Sequence, residues 1–228
     1  MTDKKNQVRR IFDSISKQYD FLNHLLSFGI DFYWRYRALK LTGINSGSIL
    51  LDVACGTGDF SIAAKKRGAN KIYGADLSMN MLMQFNQKAE WIKGKTVQTI
   101  AEKMPFKEST FTNIIVAFGV RNFYNIHKGL SEFFRILNNS GKVTILEFRM
   151  PSNTLFKLIY DFYFNKILPF IGKIISKDRE AYSYLPASVS RFDEEVNLVN
   201  ILREIGFINI EQKPLTFGIV QVVIAQKK

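Results

Sequence analysis

The chain has 228 residues, 46% of them hydrophobic, which is enough for one full domain core, and no repeat or linker divides it. Its single cysteine, Cys55, excludes an internal disulfide, and no His/Cys cluster offers the ligands of a structural zinc site. Lys and Arg outnumber Asp and Glu by 32 to 20, and the net charge of +12 favours polyanionic partners, unless the lysines only solvate the surface.

The amino-terminal part predicts helices. Residues 1–21 carry charges throughout and lack the long apolar region of a signal peptide, so we expect a cytoplasmic protein. Apolar positions at helical spacing predict helices over 3–19 and 31–42, before any strand. We expect residues 1–45 to form a helical lid on the domain that follows.

Short β-like runs then alternate with helical ones, which indicates a parallel sheet with crossover helices. The predicted strands are 48–54, 71–76, 96–100, 111–118 and 141–148, and the predicted helices are 59–67, 79–91 and 126–137. Asn138, Asn139 and Gly141 are typical residues for a turn, so we expect the last of these helices to stop there.

The carboxyl-terminal part adds an aromatic insertion and a hairpin. Residues 151–192 read as a helical, aromatic insertion on the substrate side, followed by a helix over 193–205 and strands over 207–213 and 217–226. The sequence therefore predicts one α/β domain of Rossmann-like type, with a seven-stranded, mostly parallel sheet whose last strand is antiparallel.

A glycine loop marks the predicted ligand site. The stretch LLDVACGTGDF, residues 50–60, ends the first strand and begins a helix, where open α/β sheets bind ligands. Ser61 stands at the third position of G-x-G-x-x-G, so the match to a dinucleotide fingerprint is imperfect, and the lack of G-K-[ST] excludes a P-loop.

Carboxylates surround this loop. Asp52 and Asp59 flank the glycines and would repel a pyrophosphate, whereas they suit the ammonium and sulfonium of S-adenosylmethionine. Asp76, at the end of the second strand, can accept hydrogen bonds from ribose hydroxyls. Two alternatives stay open: a nicotinamide cofactor, and a purely structural loop in which Asp76 caps the helix starting at Ser78.

The motifs LDVACGTGD, GADLS and AEKMPF resemble the class I S-adenosylmethionine-dependent methyltransferases. More narrowly, the chain resembles the ubiquinone/menaquinone biosynthesis C-methyltransferase family, whose members methylate a ring carbon of a polyprenylated quinol. The narrower resemblance rests on FDSISKQYDFLNHLLSFG, FGVRNF, LEFRMP and the stretch YDFYFNKILPFIGKIISKDREAYSYLPASV, and it covers nearly the whole chain.

The resemblance implies a set of cofactor contacts. The predicted cofactor-binding residues are Asp52, Gly56, Thr57, Gly58, Asp76, Leu77, Ile100 and Ala101. Ile100 departs from the Asp or Asn usual in the family, which removes a side-chain bond to adenine but leaves the backbone of Ala101 as a donor. Ala117 likewise replaces the usual serine before FGVRN.

Two residues are candidates for the chemistry that the resemblance implies. Methylating a ring carbon requires loss of a proton from the adjacent quinol hydroxyl, and Arg121 in FGVRN can stabilise the resulting phenolate, or merely hold its loop by an ion pair. Tyr19 in KQYDF resembles a lid tyrosine that relays a proton, or it only packs. His24 is expected to be a surface histidine.

The aromatic segment LIYDFYFNKILPF, within an apolar window over 158–175, can line a tunnel for a polyprenyl tail, rest on a bilayer, or pack in the core. Charged and polar residues interrupt the window, so we expect no membrane-spanning helix. Contact with anionic lipid would use Lys157, Lys166, Lys173, Lys177 and Arg179.

Other functions lack their expected residues. No Ser/His/Asp triad is evident, no Asn/Asp-Pro-Pro-aromatic motif indicates a nucleic-acid methyltransferase, and Cys55 lies inside the loop, so no nucleic-acid partner is expected. A non-catalytic scaffold for quinone biosynthesis and a methyltransferase for other small molecules or sterols stay open. Within the resemblance we favour demethylmenaquinol over a ubiquinone precursor as the acceptor, and a homodimer is conceivable.

Overall fold

The computed structural model describes residues 2–151, 153–167 and 179–228, and its centre is a seven-stranded sheet in the order β3-β2-β1-β4-β5-β7-β6. The strands are β1 Ile49–Val53, β2 Lys71–Asp76, β3 Thr96–Gln98, β4 Phe111–Ala117, β5 Leu137–Phe148, β6 Phe207–Leu215 and β7 Val220–Lys227. The strand β7 is antiparallel to both of its neighbours, while the pairs from β3 to β5 are parallel. The predicted fold class is confirmed.

Helices cover both faces of the sheet, and two of them also cover the carboxyl-terminal ends of its parallel strands. They are α1 Thr2–Ile15, α2 Tyr19–Leu26, α3 Ile30–Thr42, α4 Asp59–Lys66, α5 Met79–Lys88, α6 Ile126–Ile136, α7 Thr154–Phe162, α8 Arg179–Glu195 and α9 Leu198–Ile205, with a π-helical turn at Tyr163–Ile167. Part of the apolar window, residues 168–175, and the predicted lipid contacts Lys173 and Lys177 lie outside the described residues.

Three predicted boundaries are wrong. The first helix ends at Ile15 rather than residue 19, and the separate helix α2, which begins at Tyr19, was not predicted. The helix predicted over 193–205 is two helices, since the side chain of Asn197 accepts a bond from the amide of Asn200 and begins α9. The predicted turn around Asn138 lies inside β5.

Two buried layers hold the sheet between its helices. On one face, Leu130 and Phe133 of α6 pack with Leu202 of α9. On the other face, Leu39 of α3 packs with Phe60 of α4. Because α3 contributes to this core, the covering part of the predicted lid consists of α1 and α2.

Because β1, β2, β4 and β5 are parallel, the loops that follow them all lie at the carboxyl-terminal edge of the sheet, where the strands end. Open α/β sheets bind ligands at this place. The helices α1 and α2 lie over this edge, since Asp13 and Asp20 bond to residues of the loops after β2 and β1.

Candidate active site

The glycine loop connects β1 to α4 in a conformation that suits glycine. Gly56 and Gly58 have φ angles of +54° and +87°, in the left-handed region that disfavours side chains. A Cβ atom on Gly58 would overlap the ring of Phe85, so the loop and α5 approach more closely than any other residue would allow.

Asp76 is fixed at the end of β2 by two backbone amides. Its Oδ2 accepts from the amide of Gly56 at 2.8 Å, and its Oδ1 accepts from the amide of Ser78 at 2.8 Å. Burial raises the pKa of Asp76 to about 6. The cap of α5 is Ser78, whose own hydroxyl accepts from the amide of Met81, so Asp76 does not serve as that cap.

A cavity opens beside Asp76, and we call it the loop cavity. Five of the predicted cofactor residues line it: Gly56, Asp76, Leu77, Ile100 and Ala101. Each carboxylate oxygen has two lone pairs, so Asp76 keeps acceptor capacity for two hydroxyl groups of a ligand beyond its two amide bonds. The loop cavity therefore fits a ribose-bearing cofactor.

The other three predicted cofactor residues do not line this cavity. Asp52 is buried and accepts a bond from the hydroxyl of Ser61 at 2.7 Å, and burial raises its pKa to about 7. The hydroxyl of Thr57 donates to Asp20 on α2. Gly58 packs on Phe85 as described above. The structure thus gives these residues a role in shaping the loop rather than in lining the cavity.

Helices α1 and α2 are tied to the loops around the cavity by charged groups. Lys88 of α5 pairs with Asp20 at 2.7 Å and also with Asp59, at the start of α4. The hydroxyl of Ser78 donates to Asp13 of α1. The side chains of Lys5 and Arg9 on α1 line the loop cavity and bring positive charge to it.

His24 is not the surface histidine that we expected. Its Nδ1 lies 2.8 Å from Asp31, its Nε2 lies 3.6 Å from Asp59, and its ring stacks on Phe32. The ligand atoms of His24, Asp31 and Asp59 could in principle hold a metal ion. The guanidinium of Arg35, 2.5 Å from Asp31, already supplies positive charge there.

A second cavity of about 310 Å³, which we call the apolar cavity, lies between α1, α2, α3 and α7. Its inner wall carries an aromatic cluster of Trp34, Phe118 and Phe148, in which each ring centroid lies within 6.0 Å of the other two. Phe12, Tyr19 and Phe118 line both cavities and form their shared wall. Phe118 has a left-handed φ of +56°, which is uncommon for a bulky residue.

The two predicted catalytic residues both line the apolar cavity. Tyr19 hydrogen-bonds to Asn23, its ring faces Gly56, and burial raises the pKa of its hydroxyl. Arg121 makes the ion pair that we considered as the alternative, with 2.7 Å between its Nη1 and the Oε1 of buried Glu147. The side chain of Arg121 still borders the apolar cavity, so the pair fixes its position without removing it from the site.

Three residues of the site carry no sequence signal for their role. Glu147, within LEFRMP, holds Arg121, while Tyr184, which donates to Asn122 at 2.9 Å, and Trp34 line the apolar cavity. No local pattern signals such residues, because their positions depend on how the lid and the insertion fold over the sheet.

The profile of the ubiE/COQ5 methyltransferase family matches residues 1–227. The chain belongs to this family. It is 40% identical over 233 residues to the ubiquinone/menaquinone biosynthesis C-methyltransferase UbiE of Geotalea uraniireducens, with 100% of this chain and 99% of that protein covered. It is also 40% identical to the demethylmenaquinone methyltransferase of Chlorobaculum tepidum, with 99% of this chain and 94% of that protein covered.

Solved structures agree with the fold of the family. A methyltransferase from Thermotoga maritima, described as a possible histamine N-methyltransferase, superposes with a TM-score of 0.68 at 17% identity, covering 96% of this chain and 99% of that one. The [4+2]-cyclase SpnF superposes with a TM-score of 0.64 at 12% identity, covering 98% and 96%. The fold thus hosts several reactions, and function must be argued from the site.

Family membership confirms the prediction of a methyltransferase, and with it S-adenosylmethionine as the cofactor. In the part of the chain that the structure describes, no helix has both the length and the apolar character needed to cross a bilayer.

Proposed function

We propose that the protein transfers a methyl group from S-adenosylmethionine to a ring carbon of a polyprenylated quinol, and that this quinol is demethylmenaquinol. The observation that carries the proposal is the shared wall: a ribose-compatible cavity and a mostly apolar cavity meet at Phe12, Tyr19 and Phe118. Relatives named demethylmenaquinone methyltransferase support the choice of acceptor.

The residues of the loop cavity would hold the cofactor. Asp76 would accept the ribose hydroxyls, Ile100 and Ala101 would contact the adenine, and the backbone at Gly56 would approach the methionyl part. When bound, S-adenosylmethionine supplies a methyl group that is already activated by the sulfonium.

The residues of the apolar cavity would orient the acceptor. The aromatic cluster of Trp34, Phe118 and Phe148 offers flat apolar surfaces for a quinol ring, and the outer part of the cavity suits a polyprenyl tail. Arg121 would stabilise negative charge on the ring oxygen as its proton leaves. Tyr19, held by Asn23, would relay that proton towards solvent at the opening of the cavity. The C–H proton at the methylated carbon would then move to the ring oxygen as the ring regains aromaticity, so one proton is released in total.

A labelling experiment tests this proposal. The protein is incubated with methyl-labelled S-adenosylmethionine and, in separate reactions, with a short-chain demethylmenaquinol and a short-chain demethylated benzoquinol. Label in the naphthoquinol ring is the expected result, and label only in the benzoquinol would assign the ubiquinone branch instead. Label in neither, together with no heat of cofactor binding in calorimetry, would indicate a scaffold.

Quinone analysis of cells gives an independent test. A strain without this protein should accumulate a naphthoquinone that is one methyl group short, as weighed by mass spectrometry. An unchanged menaquinone pool would contradict the proposal. A cytoplasmic location with peripheral contact to the membrane is part of the same proposal, and homodimerisation stays a prediction without support from the described residues.

A further inference from the structure

The apolar cavity opens between the turn that joins α2 to α3 and the helix α7. Residues that line a cavity and are also exposed mark its opening, and these are Phe28, Ile30 and Ile159, exposed by 80%, 40% and 57%. The hydroxyl of Tyr163 donates to the carbonyl of Leu26 at 2.5 Å and joins the two sides. The inner end, at Trp34, is buried.

The exposed face of α7 is apolar as well. Leu155, Leu158, Ile159 and Phe162 follow the i, i+3, i+4, i+7 spacing of one helical face, and each is exposed by 57% to 64%. Tyr160, on the inner side of the helix, lines the cavity instead. The outer face of a surface helix normally carries polar side chains, so core packing does not explain this one.

The exposed residues at the opening and the exposed face of α7 share Ile159 and together surround the opening. We define the apolar rim as Phe28, Ile30, Leu155, Leu158, Ile159 and Phe162. Residues 25–30, with the sequence LLSFGI, contain no charge. Lys157 and Lys166 are exposed on the same helical segment, where they can meet anionic headgroups.

We infer that the apolar rim docks on a lipid bilayer, so that the apolar cavity opens directly into the layer that contains its substrate. This inference rests on the proposed polyprenylated acceptor, because the tail must pass from the bilayer into the cavity without crossing water. The rim surrounds the opening itself, which favours a bilayer over a partner that would close it.

The test compares matched variants of the full chain in co-sedimentation with vesicles of phosphatidylcholine and phosphatidylglycerol. The double variant Leu158→Gln/Phe162→Gln removes two rim side chains that do not line the cavity. We expect its partition onto vesicles to fall about tenfold or more, since each apolar side chain contributes appreciably to transfer out of water. Met83→Gln on α5, where Met83 is exposed by 52%, is the control and should bind like the wild type.

Activity separates this inference from the proposed function. The double variant should methylate a short-chain quinol in buffer at the wild-type rate and should lose activity only towards a long-chain quinol in vesicles. Equal vesicle binding by the double variant and the wild type would overturn docking through the apolar rim, while the proposed methyl transfer to a quinol would stand.

Two further outcomes identify a different occupant of the rim. If sedimentation velocity without lipid shows a wild-type dimer that the double variant cannot form, and neither binds vesicles, the rim is an interface between copies of this chain. If neither protein binds vesicles and both are monomeric, the rim is covered by another part of the chain, and docking on lipid is wrong. Absence of methylation of the short-chain quinol by the wild type would instead contradict the proposed function.

Discussion

The carboxylate of Asp20 on α2 accepts a hydrogen bond from the hydroxyl of Thr57 in the glycine loop. The same carboxylate pairs with Lys88 at 2.7 Å. One side chain of the lid is therefore bonded both to the loop after β1 and to α5, which follows β2. The lid and the cofactor loops are mechanically connected through Asp20.

The variant Asp20→Asn should weaken this connection. The amide oxygen can still accept from Thr57, but the bond loses its charge and the ion pair with Lys88 is removed, so cofactor release is expected to speed up by about tenfold. Stopped-flow displacement of bound S-adenosylmethionine measures the release rate. The control is Glu90→Gln, which removes a carboxylate from the exposed pair with Lys93 and should leave the rate unchanged. Equal rates in Asp20→Asn and the wild type would show that the connection does not hold the lid.

Arg121 is the residue whose replacement should affect turnover without affecting the cofactor. It lines the apolar cavity and not the loop cavity, so Arg121→Lys should lower kcat about 10²- to 10³-fold while the Kd of S-adenosylmethionine stays within about twofold. Steady-state kinetics and calorimetry give the two values.

The control for Arg121→Lys is Arg203→Lys, which alters an exposed contact with Asn200 on α9 and lines neither cavity. It should change neither kcat nor Kd. If Arg121→Lys retains full kcat, Arg121 only holds its loop through the ion pair with Glu147. If Arg121→Lys also loses affinity for S-adenosylmethionine, the substitution disturbs the folding of the site and the fall in kcat does not report on catalysis.

Asp76 should make cofactor binding depend on pH. Its pKa is raised to about 6 by burial, so the carboxylate is ionised at pH 8 and mostly protonated at pH 5. A protonated carboxyl accepts the ribose hydroxyls poorly, and affinity should therefore fall about tenfold as the pH drops from 8 to 5. Calorimetric titration across this range measures the effect.

Two variants show which carboxyl group causes that pH dependence. Asp76→Asn should bind weakly at every pH, without the fall. Asp52, whose pKa is raised to about 7, titrates in the same range but does not line the loop cavity, so Asp52→Asn should retain the fall. Loss of the pH dependence in Asp52→Asn and its persistence in Asp76→Asn would reverse the assignment.

Gly58 should be intolerant of any side chain. Gly58→Ala places a Cβ atom on the ring of Phe85 in a left-handed backbone conformation, and we expect a loss of about 2–4 kcal/mol in the free energy of unfolding. Urea denaturation measures this loss. Gly94→Ala is the matched control, because Gly94 has a φ of +74° but nothing within 4 Å of a Cβ position, and it should lose only about 1 kcal/mol. Equal losses would mean that overlap with Phe85 costs nothing.

The sheet could be predicted from sequence because its signals are local. Each strand is a short apolar run, and the order of strands and helices in the chain determines a parallel sheet with a closing hairpin. The same holds for Asp76, whose position after β2 places it beside the glycine loop. One boundary error arose where a side chain bonds to the backbone, as Asn197 does at the start of α9.

The lid contacts could not be predicted, because they join residues far apart in the chain. The hydroxyl of Thr57 donates to Asp20, which lies 37 residues earlier, and no local pattern indicates that pair. His24 seemed to be a surface residue, since neither Asp31 nor Asp59 is an evident partner before α2 and α3 are placed against α4. Such ion pairs depend on tertiary packing and leave no periodic pattern.

The wall shared by Phe12, Tyr19 and Phe118 bears on the electrostatics of the proposed reaction. A cationic donor and an anionic ring would neutralise each other as the methyl group moves, so charge disappears on the way to the transition state. Water solvates separated ions better than neutral products and would slow such a step. Three rings without a formal charge keep water away from this junction and make it weakly polar. Opposite charges combine faster in such surroundings than in water.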